Sequence, residues 1–209
     1  VRFRPASTVV GPLRLVKDEA EIALLAAAGA AADRVAARLA GTRFSGRTER
    51  DLAGIIAGAL VEEGHDTAAF AIVASGPNAA LPHHRAGDRR IEIGDLVVLD
   101  FGGVLDGYCS DLTRTVSVGR PSEDVRRIYA AVLAAQQAAI ATVGPGVDAS
   151  AVDRAARAVL EQAGLGEAFG HGTGHGLGLE VHEEPRLSRT STGTTPPPRP
   201  LQPGMVVTI

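Results

Sequence analysis

The chain has 209 residues, 45% of them apolar and 22% charged, with a formal net charge of -3. That length can bury a real core; the composition is globular and excludes long-range disorder and collagen-like or coiled-coil classes. The lack of a basic excess argues against nucleic-acid binding. A single cysteine, Cys109, excludes an internal disulfide framework and suits a reducing, cytoplasmic compartment. No apolar run approaches the roughly 20 residues of a bilayer span, and the first residues show no basic-then-apolar signal pattern. With no Trp and 3% aromatics, the core must be built from Ala, Val, Leu and Ile.

Lys17 to Ala40 is rich in Ala, Leu and charged residues and lacks Pro, so it is predicted to be a long helix, opened by Asp18 with Glu21 three residues on. Gly41 to Gly46 breaks it. Thr48 with Asp51 starts a second helix that runs through Leu60 to a stop at Gly64. His65, beside that stop, reads as a surface residue.

Ala68 to Ser75 is predicted to be a strand, Gly76-Pro77-Asn78 a turn, and Pro82-His83-His84 part of a short loop. The apolar run Leu96 to Leu99 reads as a strand covered on both faces. Its partner is Tyr108 to Val118, joined through Asp106-Gly107, a strong hairpin signal. If these two residues form the loop, 105 faces 108, 102 faces 111 and 100 faces 113. Asp100 and Asp111 then share one sheet face as diagonal neighbours about 7 Å apart. A bulge at the Gly102-Gly103 pair would shift this register.

Ser122 caps a helix through Thr142, Gly144-Pro145-Gly146 breaks it, and Asp148 caps another helix through Gln162 with a stop at Gly164. The features at 18, 48 and 64 thus recur at 122, 148 and 164. This predicts an α+β domain of two pseudo-symmetric helix-helix-sheet halves around a mainly antiparallel sheet. Ser188 to Pro203 lacks periodicity and reads as a surface loop or insertion. The chain begins at Val1 and ends inside Met205 to Ile209, an apolar β-branched run that reads as a strand, so a fragment is expected.

The chemistry gathers at few positions. Asp100 follows an apolar run directly, where a carboxylate is costly unless it is paired or binds a cation; with Asp111 on its face, the two can share a metal cluster. Five of the six histidines fall in two groups, His83 with His84, and His171, His175 and His182. Glycine alternates with other residues from His171 to Gly178, a pattern suited to close approach by a ligand or another chain segment. Two carboxylates and an imidazole suit a catalytic Mn, Fe, Co or Zn site, whereas one cysteine cannot build a structural thiolate site. His84 reads as a loop neighbour and Cys109 as a packed thiol.

Four ordered motifs carry a resemblance. Ser75-Gly76-Pro77-Asn78 with Pro82-His83 comes first, then Gly94-Asp95-Leu96-Val97-Val98-Leu99-Asp100-Phe101-Gly102. Ser110-Asp111-Leu112-Thr113-Arg114-Thr115 follows, then Gly174-His175-Gly176-Leu177-Gly178 with Val181-His182-Glu183. Together they resemble the M24 metallopeptidases, which include methionine aminopeptidases, aminopeptidase P and prolidases, over roughly Leu15 to Ile209. The Ser110-Asp111 doublet and Gly176-Leu177-Gly178-Leu179-Glu180-Val181-His182-Glu183 are more similar to the Xaa-Pro dipeptidase and aminopeptidase P branch.

The resemblance implies the pita-bread fold, with residues 1–14 the remnant of a linker from an absent N-terminal domain and 15–209 a catalytic domain incomplete at its C-terminal end. It implies a hydroxide bridging two divalent ions, manganese or cobalt first and zinc or iron otherwise, and a peptide substrate cleaved at its N-terminal bond, with no nucleic-acid or membrane partner and a homodimer left open. By position, Asp100 would bind one ion, Asp111 both and His175 one. His83 and His182 would hold the substrate carbonyl and the tetrahedral intermediate, and His171 would either support the ligands from behind or face the substrate. Two further ligands of the family are glutamates that follow Ile209, so weak metal binding and little activity are expected of these 209 residues; Glu183 and Glu184 belong to another motif. A creatinase-like hydrolase of a small non-peptide substrate and a peptide-binding pseudoenzyme are the alternatives.

Overall fold

Capping side chains at Asp18, Thr48 and Asp148 mark the starts of helices. In the computed structural model, which describes residues 6–189 and 200–209, α1 (Ser7–Leu15) precedes α2 (Glu19–Ala40). The segment read as a linker is thus helical from Ser7. Glu21 N donates to Asp18 Oδ1 at 2.9 Å and Asp18 N to Glu21 Oε2 at 2.9 Å, the reciprocal pair that the spacing suggests. Thr48 and Asp51 repeat it at the start of α3 (Glu49–Glu62), at 3.0 and 3.2 Å.

The described residues form two compact units, one of Ala23–Ser122 and one drawn from residues 6–22, 123–189 and 200–209. In the first, an antiparallel four-stranded sheet contains β1 (Thr67–Ser75), β2 (Leu96–Leu105), β3 (Tyr108–Cys109) and β4 (Leu112–Ser117), with β2 between β1 and the β3/β4 edge. Its core joins Val35 and Leu39 of α2, Leu52, Ile56 and Leu60 of α3, Val73 of β1, and Val97, Leu99 and Phe101 of β2. The reading of Leu96 to Leu99 as buried on both faces is corrected. Val97 and Leu99 are buried, while Leu96 and Val98 are half-buried, because an antiparallel strand with helices on one face takes the period of two.

The hairpin register stands as read. Asp106 (φ 48°) and Gly107 (φ 83°) turn the chain, Leu105 faces Tyr108, and Asp100 faces Thr113. The bulge lies on the other side of β2, between Ala68 and Phe70 of β1 opposite Gly103 and Gly102. A Cβ at Gly102 would collide with the Ser110 carbonyl and meet the Phe70 ring at 2.8 Å, so the close approach requires glycine.

The second unit holds α4 (Glu123–Thr142) and α5 (Ala149–Gln162). It also contains a two-stranded antiparallel sheet of β5 (Gly174–Gly176) and β6 (Glu183–Leu187). Asp148 caps α5 through Ser150 N at 2.9 Å, and α3 and α5 are both 14 residues long. The small core is Ala135, Ala139, Val152, Ala156, Leu160 and Leu187 with their neighbours. The strand expected at Met205 to Ile209 is reduced to one bridge, Gly176 with Val207. Leu177 N and Thr208 N still donate to Val206 O and His175 O, at 3.0 and 2.8 Å. The ladder stays short because β5 has three residues and its register shifts between His175 and Gly176. Most of the loop read at Ser188 to Pro203 lies outside the described residues. No described helix is long and apolar enough to cross a membrane.

Candidate metal centre

The carboxylates belong to the first unit. Asp100 pairs with Thr113; Asp111 lies in the break between β3 and β4, and the register carried one residue past Leu112 sets it on the face of Asp100, in the diagonal relation that lets two carboxylates approach one cation. Thr113 Oγ1 donates to Asp100 Oδ1 at 2.8 Å, which orients that carboxylate. Both aspartates are half-buried.

Behind Asp111, Ser110 is buried and bonds to His65 Nε2 at 2.9 Å, while His65 Nδ1 donates to Leu60 O at 3.1 Å. The reading of His65 as a surface residue is therefore overturned, since it is 2% exposed. Its ring occupies the space that a side chain at Gly103 would need, where a Cβ would lie 2.6 Å from His65 Cδ2. Cys109 is a buried free thiol.

His83 is exposed in the loop after the 3-10 turn Gly76–Ala80. Its neighbour His84 turns inward and donates from Nε2 to Glu49 Oε2 at 2.7 Å. Glu49 is fully buried at the first turn of α3. Burial alone would raise its pKa, but hydrogen bonds from Asn78, His84 and Ser75 outweigh that and hold it at about 2.

The other histidines belong to the second unit. His175 lies in β5, and its Nδ1 donates to Gly176 O at 3.0 Å, so the lone pair of the neutral ring is on Nε2. The rings of His175 and His182 stand 4.3 Å apart, tilted by 40°. His171 is exposed, edge-on to Phe169 at 4.9 Å, beside a cavity of about 800 Å³ that Arg157, Glu161, Phe169 and Arg189 help to line.

Two networks, one buried and one half-buried, hold this histidine segment. Arg157 pairs with Asp153 through Nε and Nη2, both at 3.0 Å, and donates to the carbonyls of Phe169 (2.7 Å) and His171 (2.9 Å). Asp153 Oδ1 accepts from Thr173 N at 3.1 Å and from its hydroxyl at 2.9 Å. Next to His182, Glu183 is paired with Arg14 and with Lys17, the latter at 3.0 Å. Burial would raise its pKa, but Arg14 and Lys17 lower it on balance.

Asp100 and Asp111 share one unit, and His175, His182 and His171 the other. Among the described residues, neither unit by itself gathers three or more His, Cys, Asp or Glu side chains placed to hold a metal ion. The donor types do fit a divalent cation: two carboxylates on one face, one oriented by a hydroxyl, and an imidazole whose tautomer is set by a carbonyl. Sequence reasoning missed Glu49, Asp153 and Arg157. The available signal was position, since each lies on the buried stripe of its helix, with Leu52 and Ile56 in α3 and with Val152, Ala156 and Leu160 in α5.

Comparison with known proteins places these features in context. The sequence model described as metallopeptidase family M24 matches residues 23–209. A probable dipeptidase PepE of Mycobacterium tuberculosis is 54% identical over 183 residues, 87% of this chain and 49% of that protein. An Xaa-Pro dipeptidase of Pyrococcus horikoshii is 40% identical over 208 residues, 99% of this chain and 58% of that protein. The chain thus spans about half the length of the curated relatives it matches. Among solved structures, the prolidase of Thermococcus sibiricus superposes with a TM-score of 0.92 at 44% identity, covering 98% of this chain and 55% of that one.

Proposed function

Because this chain belongs to metallopeptidase family M24 and has its pita-bread α+β fold, we propose that it is the catalytic part of a metal-dependent exopeptidase that hydrolyses the N-terminal bond of peptides, Xaa-Pro bonds in particular. The observation that carries the reading is the hairpin register that puts Asp111 on the face of Asp100; the dipeptidase and prolidase names of the relatives favour the substrate class. Asp100, Asp111 and His175 would hold two divalent ions, manganese or cobalt. When bound, the ions supply a water acidified toward neutrality and Lewis acidity at the scissile carbonyl.

The chain's own residues prepare for that chemistry. Thr113 donates to one oxygen of Asp100 and biases its orientation, and the Gly176 carbonyl keeps the proton of His175 on Nδ1 so that Nε2 can ligate. His83 and His182 would donate hydrogen bonds to the carbonyl oxygen as it gains negative charge, a term worth about 3–4 kcal/mol per donor in such sites. His171 would face the substrate. The cytoplasm is the proposed compartment.

The test is metal analysis and Xaa-Pro dipeptide turnover of the complete gene product, with Asp100→Ala and His175→Ala. Bound metal is expected in the wild type and a loss of metal and turnover in both variants. A wild type with background metal, matched by both variants, would sink the proposal.

A further inference from the structure

Glu49 takes no part in the proposed reaction, yet it is the most heavily bonded carboxylate described in the first unit. Its Oε1 accepts from Ser75 N (2.8 Å), Ser75 Oγ (2.7 Å) and Asn78 Nδ2 (3.0 Å). Its Oε2 accepts from His84 Nε2 (2.7 Å) and Gly87 N (3.2 Å). Arg89 backs the arrangement by donating to Ser75 Oγ at 2.7 Å while paired with Asp95. The partners at 75 and 78 precede His83 and those at 84 and 87 follow it. Both sides of the loop are thereby tied to one fully buried carboxylate, and the loop has no strand of its own between Ala80 and Ile91.

The ring of His84 is drawn inward and half-buried, while that of His83 stays exposed. Successive side chains of a non-helical segment diverge, so anchoring one ring sets the direction of the next. We infer that Glu49, acting through His84, is the positioning residue for His83. This rests on the role proposed above for His83. Glu49 acts at the base of the loop and does not exchange protons with the substrate: it holds the imidazole where it can meet the carbonyl, and a misplacement of about 1 Å at such a group costs on the order of 100-fold in rate.

The test separates the two ideas. His84→Leu removes the donor and keeps bulk, His84→Gln keeps an N–H that can reach Glu49, and His84→Asn, too short to reach it, replaces leucine if leucine is poorly tolerated. In the 209-residue chain without added metal, His84→Leu is expected to shift and broaden the His83 ring resonances in NMR and to speed exchange of the Gly87 amide at least roughly tenfold. His84→Gln should leave both near wild type. In the complete gene product, His84→Leu should lower kcat on an Xaa-Pro dipeptide by about 10- to 100-fold with little change in KM, and His84→Gln should restore most of it. Unmoved His83 resonances in His84→Leu overturn the positioning claim whatever the activity. A fully active His83→Ala overturns instead the proposed role of His83, leaving the NMR result to judge the positioning.

Discussion

Helices α3 and α5 have equal length and each begins behind a side-chain cap, but they bury charge in different ways. Helix α3 places one carboxylate, Glu49, at its start, and Ser75, Asn78, His84 and Gly87 answer it. Helix α5 places an ion pair, Asp153 and Arg157, one turn apart within its buried face. The sheets differ in the same direction. Four strands stand with α3, and their ladders hold the chain, so its buried acid only has to secure a loop. Only β5 and β6, of three and five residues, form the sheet of the α5 unit. Phe169 to Thr173 lies outside any strand, and the Arg157 guanidinium and Asp153 carboxylate take several of the backbone groups that a ladder would otherwise pair. Where a sheet is sparse, helix side chains do the holding.

The largest expected effect breaks the second arrangement. Asp153→Ala leaves Arg157, 6% exposed, without its counter-ion and removes the acceptor of the Thr173 amide and hydroxyl. A loss of about 3–5 kcal/mol is expected in urea unfolding. Asp153→Leu combined with Arg157→Met should cost less than Asp153→Ala alone, because no unpaired charge is left behind. If the single variant lost under about 1 kcal/mol, the ion pair would not be what secures the histidine segment.

Glu49 should respond to pH. Its folded pKa of about 2 is below the ordinary glutamate value of about 4.3, so between those values the unfolded chain binds more protons. Its contribution is fully present above about pH 4.3 and disappears as pH falls toward 2, a difference on the order of 3 kcal/mol. Glu49→Gln should therefore be less stable than wild type at pH 7, with the gap narrowing at pH 3 in urea titrations. A gap that stayed constant from pH 7 to pH 3 would show that the carboxylate charge contributes nothing.

Local features were legible in the sequence because their partners are near. Asp18 with Glu21, Thr48 with Asp51, and the Asp106-Gly107 hairpin all resolve within a few residues, and the hairpin alone put Asp100 and Asp111 on one face. Glu49 carried only a weak signal, its place on the buried stripe of α3; its role was not legible, since its partners lie 26 to 38 residues away and a glutamate beside a helix cap ordinarily faces water. His65 was misread for the same reason. A residue after a glycine stop looks exposed until Gly103, far along the chain, opens room for its ring. The grouping of His175 with His182 followed from their nearness in the chain, while their ring contact depends on the fold of the glycine-rich segment. The Met205 to Ile209 run had the composition of a strand, but ladder length is set by its partner, and β5 is short.

The smallest expected effect sharpens the contrast by holding the chemistry constant. Arg50 and Asp88 are again an arginine with an aspartate, at 3.4 Å, but their side chains are 67% and 80% exposed. Water solvates both groups before and after the pair breaks, and ordering two long side chains offsets much of the attraction. Arg50→Ala should change stability by under about 0.5 kcal/mol and the effect should fade further in added salt. The Asp153 pair should keep most of its effect in the same salt, since solvent ions reach buried charges poorly. Equal salt sensitivity in the two variants would mean that burial does not distinguish the pairs, and the assignment of a holding role to α5 would fail with it.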